Sequence, residues 1–125
     1  MENCEVKALT AEQAAPILAR AGIVDPLGIN TAESIAASGN CFAFDDGADA
    51  FVFVLRLRSG VLFVDATAAM QAGQALAKGL PLADEIARQA NCRSIVFETA
   101  RPGLVRRAKK MGYRVASINM KKDLA

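Results

Sequence analysis

Two carboxylates stand out because each lies in a stretch that is otherwise apolar. Asp65 interrupts the run Val61–Thr67 (VLFVDAT), and Glu98 ends the run Ser94–Glu98 (SIVFE). Short runs rich in β-branched and aromatic residues are typical of buried strands. Both carboxylates lie near the predicted carboxyl ends of these strands, where the ligand crevices of α/β sheets open. Asp65 and Glu98 are therefore the candidate catalytic residues.

A structural role is the alternative for both carboxylates. A strand-end carboxylate commonly pairs with a nearby cation, such as Arg101 beside Glu98, or caps the following turn. Lys78 is a candidate phosphate ligand, with a solvated loop lysine as the alternative. Tyr113 is expected to pack through its ring and to keep its hydroxyl at the surface.

The composition excludes several kinds of catalytic site. The chain contains no His, which removes Ser-His-Asp and Cys-His machinery and the commonest ligand of transition metals. Cys4, Cys41 and Cys92 form neither a C-x-x-C pair nor a disulfide pattern, so we expect reduced, buried thiols and no metal site. Any chemistry must use carboxylates, Lys, Tyr, hydroxyls or backbone dipoles.

Length and hydropathy indicate one globular unit. The 125 residues predict a single domain over residues 1–125. No apolar run approaches the roughly 20 residues that span a bilayer, and the polar start MENCEVKALT does not resemble a signal peptide. We therefore expect a cytoplasmic protein without a membrane partner.

Charge is distributed unevenly along the chain. Residues 1–92 carry 6 Lys and Arg against 11 Asp and Glu, a net of −5, whereas residues 93–125 carry 9 against 2, a net of +7. Such asymmetry can mark a surface that binds polyanions. The alternative is a solvated helix face beside an edge strand that Lys protects from aggregation. With few aromatic residues to stack bases, a nucleic-acid partner is not favoured.

Hydrophobic periodicity predicts the order β, α, α, β, β, β, α, β, α, β. The three middle strands should form an antiparallel meander, with the Val61–Thr67 strand placed centrally because it is apolar on both faces. A β-α-β unit with parallel strands and a right-handed crossover should follow. The predicted elements are strands over Cys4–Leu9, Cys41–Phe44, Phe51–Arg58, Val61–Thr67 and Ser94–Glu98, a helix from the Thr10 cap to about Ala21 that Pro16 kinks or delays, a helix capped by Asn30 or Thr31, a Ser59-Gly60 hairpin turn, a loop over Ala68–Lys78, and a helix from Pro81 to about Ala90.

The stretch Asn91–Ala125 contains most of the positive charge. After the Ser94–Glu98 strand, Pro102 fits the first turn of a helix and Gly112 fits the left-handed residue after its end. Alternation over Tyr113–Ile118 predicts a further strand, and Asn119–Lys122 is a possible last one.

This order and the segment Leu104–Val115 (LVRRAKKMGYRV) resemble the GNAT superfamily of acyl-CoA N-acyltransferases. The segment is similar to that family's fourth helix and its Gly-[Phe/Tyr] junction into the sixth strand, and Met120–Leu124 (MKKDL) is similar to a closing strand. The same region is similar to small GNAT-fold proteins encoded in phages and prophages. The resemblance implies an α/β fold in one domain, with a mostly antiparallel, centrally splayed sheet and helices on both faces.

The resemblance also implies where acyl-CoA would bind. In GNAT proteins the cofactor lies against the fourth strand, with the fifth splayed away, and a helix N-terminus receives the pyrophosphate. Here those strands are Val61–Thr67 and Ser94–Glu98, and the helix would begin near Gly79-Leu80-Pro81. The implied cofactor-binding residues are Val64, Ala66, Gly73, Lys78, Gly79 and Leu80.

Two departures from the GNAT pattern weaken the expectation of catalysis. The pyrophosphate string [Arg/Gln]-x-x-Gly-x-[Gly/Ala] is absent, although Gln71, Gly73 and Gln74 supply similar residues at other spacings. The family's general-acid tyrosine, four residues before the junction glycine, is Ala108 here. We therefore expect a GNAT-like domain with degenerate or lost activity that acts as a binding or structural module, with a homo-oligomer formed through a sheet edge as one form. The alternatives are an acyl-CoA-dependent N-acyltransferase, with Asp65 or Glu98 as base, and a polyanion-binding protein that uses the basic helix between Arg101 and Lys110.

Overall fold

The structure is a computed structural model that describes residues 5–22, 27–45, 50–69, 75–99 and 102–124. Within these ranges five strands and four helices alternate in the predicted order, except that the last predicted strand is missing. They are β1 (Glu5–Leu9), α1 (Ala11–Arg20), α2 (Ala32–Ala37), β2 (Asn40–Asp45), β3 (Ala50–Arg58), β4 (Val61–Ala69), α3 (Ala75–Gln89), β5 (Ser94–Phe97) and α4 (Pro102–Lys110).

The five strands form one mixed sheet in the order β1-β2-β3-β4-β5. The pairs from β1 to β4 are antiparallel and β4–β5 is parallel, so the predicted meander and parallel unit are confirmed. The central strand is β3, not β4 as expected, and β3 is buried on both faces from Ala50 to Leu55. Apolar content did not distinguish these neighbours, because both lie inside the sheet.

Helices cover both faces of the sheet, as expected. One buried cluster joins α1 and α2 to Val52 and Val54 of β3, and a second joins α3 to Phe51, Phe53 and Leu55. The alternation of side chains along β3 therefore places consecutive residues under different helices. This two-sided burial explains why β3 is apolar at nearly every position.

Local capping signals begin the first two helices. In α1, the Thr10 hydroxyl oxygen accepts from the Gln13 N–H at 3.1 Å, and the Thr10 N–H donates to the Gln13 side chain at 2.9 Å. Thr31 and Ser34 form the same reciprocal pair at the start of α2. The start of α1 is not delayed by Pro16, which lies inside the helix.

Residues with positive φ close the predicted hairpin and end α4. Ser59 and Gly60 have φ of 52° and 75°, the left-handed geometry of a type I′ turn. At the end of α4, Gly112 has φ 95°, and the Tyr113 N–H donates to the Ala108 carbonyl at 3.1 Å. That bond, with the one from the Gly112 N–H to Lys109 at 3.2 Å, makes a Schellman motif. The assignment of Gly112 is confirmed.

The start of α3 was predicted wrongly. The helix begins at Ala75, so Pro81 lies in its interior and part of the predicted Ala68–Lys78 loop is helical. At the other end of that segment, β4 continues to Ala69. The run ALAKG before Pro81 favours helix through its alanines, and a single proline does not prevent a helix that packs against a sheet.

The predicted strands over Tyr113–Ile118 and Asn119–Lys122 are also wrong. Residues 113–124 contain no strand, and the exposed fractions of Val115 and Ile118 are 55% and 77%. Alternation shows that a segment could form a strand, but a strand also needs a partner for its backbone groups. Along this segment the structure supplies none.

Candidate functional site

An opening between β4 and β5 is the main candidate site. The two strands pair only from Val61–Ser94 to Val64–Phe97. Beyond Val64, β4 continues to Ala69, whereas β5 ends at Phe97. Among the described residues, the backbone of β4 after Val64 therefore has no strand partner on the β5 side. Its unpaired N–H and C=O groups are suited to an extended, amide-containing ligand.

A β-bulge lies at the start of this opening. Val54 pairs with Ala66 and Leu55 pairs with Val64, which leaves Asp65 without a partner on β3. The extra residue changes the face to which β4 side chains point. Val64 packs with the cluster under α3, whereas Ala66 packs with the cluster under α1 and α2.

The carboxylate of Asp65 is engaged by two other elements. Arg56 of β3 donates from Nε to Oδ2 at 2.7 Å and from Nη2 to Oδ1 at 3.1 Å. The Ser38 hydroxyl, just after α2, lies 2.9 Å from Oδ2 and 2.6 Å from the Ile35 carbonyl oxygen, so its single proton serves either acceptor. This is the structural alternative that the sequence left open for Asp65.

Arg56 is held on a second side by an aromatic ring. Its guanidinium carbon lies 4.5 Å from the centre of the Phe63 ring, a cation–π contact. The hydrogen bond to Asp65, opposed by partial burial, raises the pKa of Arg56 above its usual value. The guanidinium therefore stays charged. Sequence reasoning missed Arg56 and Ser38 as site residues, although a cation in an otherwise apolar strand was an available signal for Arg56.

Glu98 lies directly after β5 and is exposed. Within the described part of the chain it makes no hydrogen bond or ion pair, and Arg101, its expected partner, falls outside that part. The carboxylate is thus open to solvent beside the end of the shorter strand. It is the more accessible of the two candidate bases.

The expected cofactor residues divide into three groups. Val64 and Ala66 flank the bulge, at the edge of the opening. Gly73 lies outside the described residues, and of Lys78 only its place in α3 is described. Gly79 and Leu80 are not at a helix start, because the free N–H groups of a helix belong to its first four residues, which here begin at Ala75.

Gly79 contributes to packing of the helix on the sheet. A Cβ at this position would lie 3.5 Å from Phe53 and 3.5 Å from the Thr67 methyl group, so the helix backbone approaches β3 and β4 closely. This contact explains a glycine within α3 by sterics. A role in binding a cofactor stays a prediction for Gly79, as for the other five residues.

Tyr113 has its hydroxyl in the interior, contrary to expectation. The oxygen is buried and has no hydrogen-bond partner, while the ring packs edge-on against Phe97 with 5.2 Å between ring centres. Burial, and secondarily the charge of Asp84, raises the pKa of Tyr113. The Schellman motif of α4 turns this side chain inward, an effect that sequence alternation alone does not show.

The basic residues of α4 lie on its exposed side. Arg106, Arg107, Lys109 and Lys110 are all exposed, while Ala108 between them is buried. Among the described residues none of these four cations forms an ion pair. They make a continuous positive surface near the end of the chain.

No helix in the described ranges is both long and apolar enough to cross a membrane. The same residues contain no group of three His, Cys, Asp or Glu side chains that could bind a metal ion. Of the cysteines, Cys41 is buried and Cys92 is partly buried, while Cys4 lies outside the described part. Burial raises the pKa of the Cys41 thiol.

Comparison with known proteins gives a likeness in structure and none in sequence. No protein family and no curated protein matches the sequence. An acetyltransferase from Trypanosoma brucei superposes with a TM-score of 0.57 over 97% of this chain and 99% of its own, at 17% identity. A GNAT-family acetyltransferase from Streptococcus pneumoniae superposes with a TM-score of 0.57 over 97% and 98%, at 14% identity. A transcriptional regulator from Bacillus halodurans gives 0.59 over 97% and 99%, also at 14%.

These similarities cover nearly the whole of each chain, and the sheet has the same mixed, open form that the resemblance implied. At this level of identity the likeness concerns the fold. The chain has the GNAT fold.

Proposed function

We propose that the chain is a GNAT-fold domain that binds CoA or an acyl-CoA in the opening between β4 and β5 and has lost acyltransferase activity. The observation that carries this proposal is that β4 extends five residues beyond its last pair with β5. The unpaired edge offers hydrogen bonds to a pantetheine arm. The first turn of α3, which follows β4 after a short connection, offers N–H groups and a positive dipole to phosphates.

Three residues argue for lost catalysis. Ala108 occupies the place of the general acid and is itself buried. Asp65 is already bound on both oxygens by Arg56. A proton acceptor of this kind would have to leave its cation before it could act as a base. Binding without turnover is therefore the expected behaviour.

Calorimetry with CoA and acetyl-CoA tests the binding. We expect saturable binding of both ligands, and no release of CoA thiol above the rate without protein when acetyl-CoA is mixed with a panel of amines. Absence of heat at millimolar ligand would remove the proposal.

An active N-acyltransferase is the second candidate, and the exposure of Glu98 favours it. The carboxylate would take the proton of an amine, directly or through a water, as the amine attacks the thioester carbonyl and CoA leaves. Positioning and N–H groups directed at the oxyanion would supply most of the acceleration. If amines do release CoA, Glu98→Gln should lower the turnover number at least roughly tenfold and leave CoA affinity unchanged.

Polyanion binding is the third candidate, and the unpaired cations on α4 favour it. Exchange of Arg106 and Arg107 for Ala should weaken a low-salt complex with DNA or heparin and flatten its salt dependence by about one unit of slope per phosphate contact. Arg58, exposed at the end of β3, provides the matched control. Absence of a complex at low salt in the unaltered protein would exclude this candidate.

Self-association through a sheet edge belongs to the same proposal of a binding module. Among the described strands β1 and β5 are the two edges, and β1 is exposed along nearly its whole length. An exposed edge can pair with a second copy. Light scattering of the purified protein decides between monomer and oligomer. The kinship with phage proteins and the cytoplasmic location remain predictions.

A further inference from the structure

We propose that Asp65 is a positioning residue: with Arg56 and Ser38 it fixes the bulge of β4 and thereby holds open the gap between β4 and β5. The part that concerns the ligand rests on the proposed binding of CoA. The part that concerns the bulge does not, and the two can be tested separately.

The first step is that the bulge lies where the sheet opens. The last pair of β4 with β5 is Val64–Phe97, and Asp65 is the next residue. It has no partner on β3 either, because Val64 and Ala66 pair with consecutive residues there. Its backbone therefore lacks a strand partner on both sides within the described structure. An unpaired residue inside a sheet needs another source of order.

The second step is that the core depends on this one residue. Without the bulge, Leu62, Val64, Ala66 and Ala68 would all point to the same face of the sheet. With it, the first two pack in the cluster under α3 and the last two in the cluster under α1 and α2. A shift of the bulge along β4 would move apolar side chains between the two clusters. Its position is therefore tied to the packing of both helical layers.

The third step is that the carboxylate bonds supply the missing order. Arg56 belongs to the neighbouring strand and Ser38 to the end of α2, so Asp65 is fixed from two different elements. The guanidinium bonds are bidentate and charge-assisted, the strongest kind available to a carboxylate. Phe63, two residues before the bulge, holds Arg56 from the other side. The network thus spans the strand on either side of the point where β5 separates.

Hydrogen exchange measured by mass spectrometry tests the network without any ligand. In Asp65→Asn, the amides of residues 64–67 should exchange roughly ten- to a hundredfold faster than in the unaltered protein, because local opening no longer breaks charge-assisted bonds. Arg56→Lys and Ser38→Ala should show smaller increases in the same peptide. The matched control is Asp123→Asn, which removes the carboxylate of an exposed ion pair with Lys121 at 3.4 Å and should leave this peptide unchanged.

The same variants distinguish positioning from proton transfer. If the protein binds CoA, a positioning role predicts that affinity falls in the Asp65, Arg56 and Ser38 variants together, although two of them keep the carboxylate. A base at Asp65 predicts instead that only Asp65→Asn loses turnover, with affinity and exchange unchanged. Equal exchange in Asp65→Asn and Asp123→Asn would overturn the inference. Failure of the unaltered protein to bind CoA would remove the proposed function and leave the exchange result to stand.

Discussion

Replacement of Tyr113 by Phe should stabilise the protein. The hydroxyl oxygen of Tyr113 is buried and has no hydrogen-bond partner, while the ring packs against Phe97. Folding therefore removes a polar group from water without replacing its hydrogen bonds. Phe retains the ring contact and removes that cost.

The size of the effect follows from the cost of burying an unpaired polar group. This is about 1–3 kcal/mol, and the lower end applies because the tyrosine as a whole is only partly buried. We expect the free energy of unfolding to rise by about 1 kcal/mol at pH 7. For a chain of this length that corresponds to a rise of about 3–5 °C in Tm.

The pH dependence gives an independent check. The folded-state pKa of Tyr113 is raised, chiefly by burial, above the value of about 10 in the unfolded chain. The stability associated with this difference is fully present below the unfolded pKa and is lost as pH rises toward the folded one. Because Phe does not titrate, the advantage of Tyr113→Phe should be constant up to about pH 9 and should grow from about pH 10 upward.

Urea unfolding followed by circular dichroism at pH 7 and pH 10.5 measures both effects. Tyr113→Leu is the matched control, since it also removes the hydroxyl but loses the edge-on ring contact, and it should be destabilised by about 1–2 kcal/mol. A Tyr113→Phe protein less stable than the unaltered one at pH 7 would refute the reasoning, because the hydroxyl would then make a favourable bond.

Three further predictions concern local geometry. Gly39→Ala should cost about 2 kcal/mol or more in urea unfolding, since its Cβ would collide with a backbone carbonyl oxygen of β3; Gly103→Ala, in the open first turn of α4, should be neutral or stabilising by up to about 1 kcal/mol and serves as its control. Asn91→Gly should stabilise by about 0.5 kcal/mol in the same assay, because Asn91 has φ 57° at the end of α3; a loss of stability would show that its side chain contributes more than its backbone. Cys41 should react with iodoacetamide more slowly than Cys92 at pH 8, because burial both shields it and raises its pKa; equal rates by peptide mapping would contradict this.

The elements that were predicted well are those with local causes. The capping pairs that begin α1 and α2 each join residues three apart in sequence. The Ser59-Gly60 turn and Gly112 depend on backbone conformations that few residue types adopt. A sequence contains such signals within a few neighbouring letters, so they were readable before the structure.

The candidate site was predictable only in part. Asp65 was found because a charge in an apolar strand needs an explanation, but its partners lie nine and 27 residues away in sequence. Whether they reach it depends on strand register and on the bulge, neither of which has a local signature. The start of α3 was missed for a similar reason, since the packing of Gly79 against β3 outweighs the interruption by Pro81.

The sequence by itself determined the order of the elements, the helix caps, the hairpin and the two carboxylates worth testing, because these depend on residue type and short spacing. Only the tertiary structure decided that Asp65 is bound by Arg56 and that Glu98 is open to solvent. It also decided that the Tyr113 hydroxyl is buried and that residues after it form no strand. Each of these outcomes depends on which distant groups meet, and a contact between distant groups is set by the packing of the whole chain.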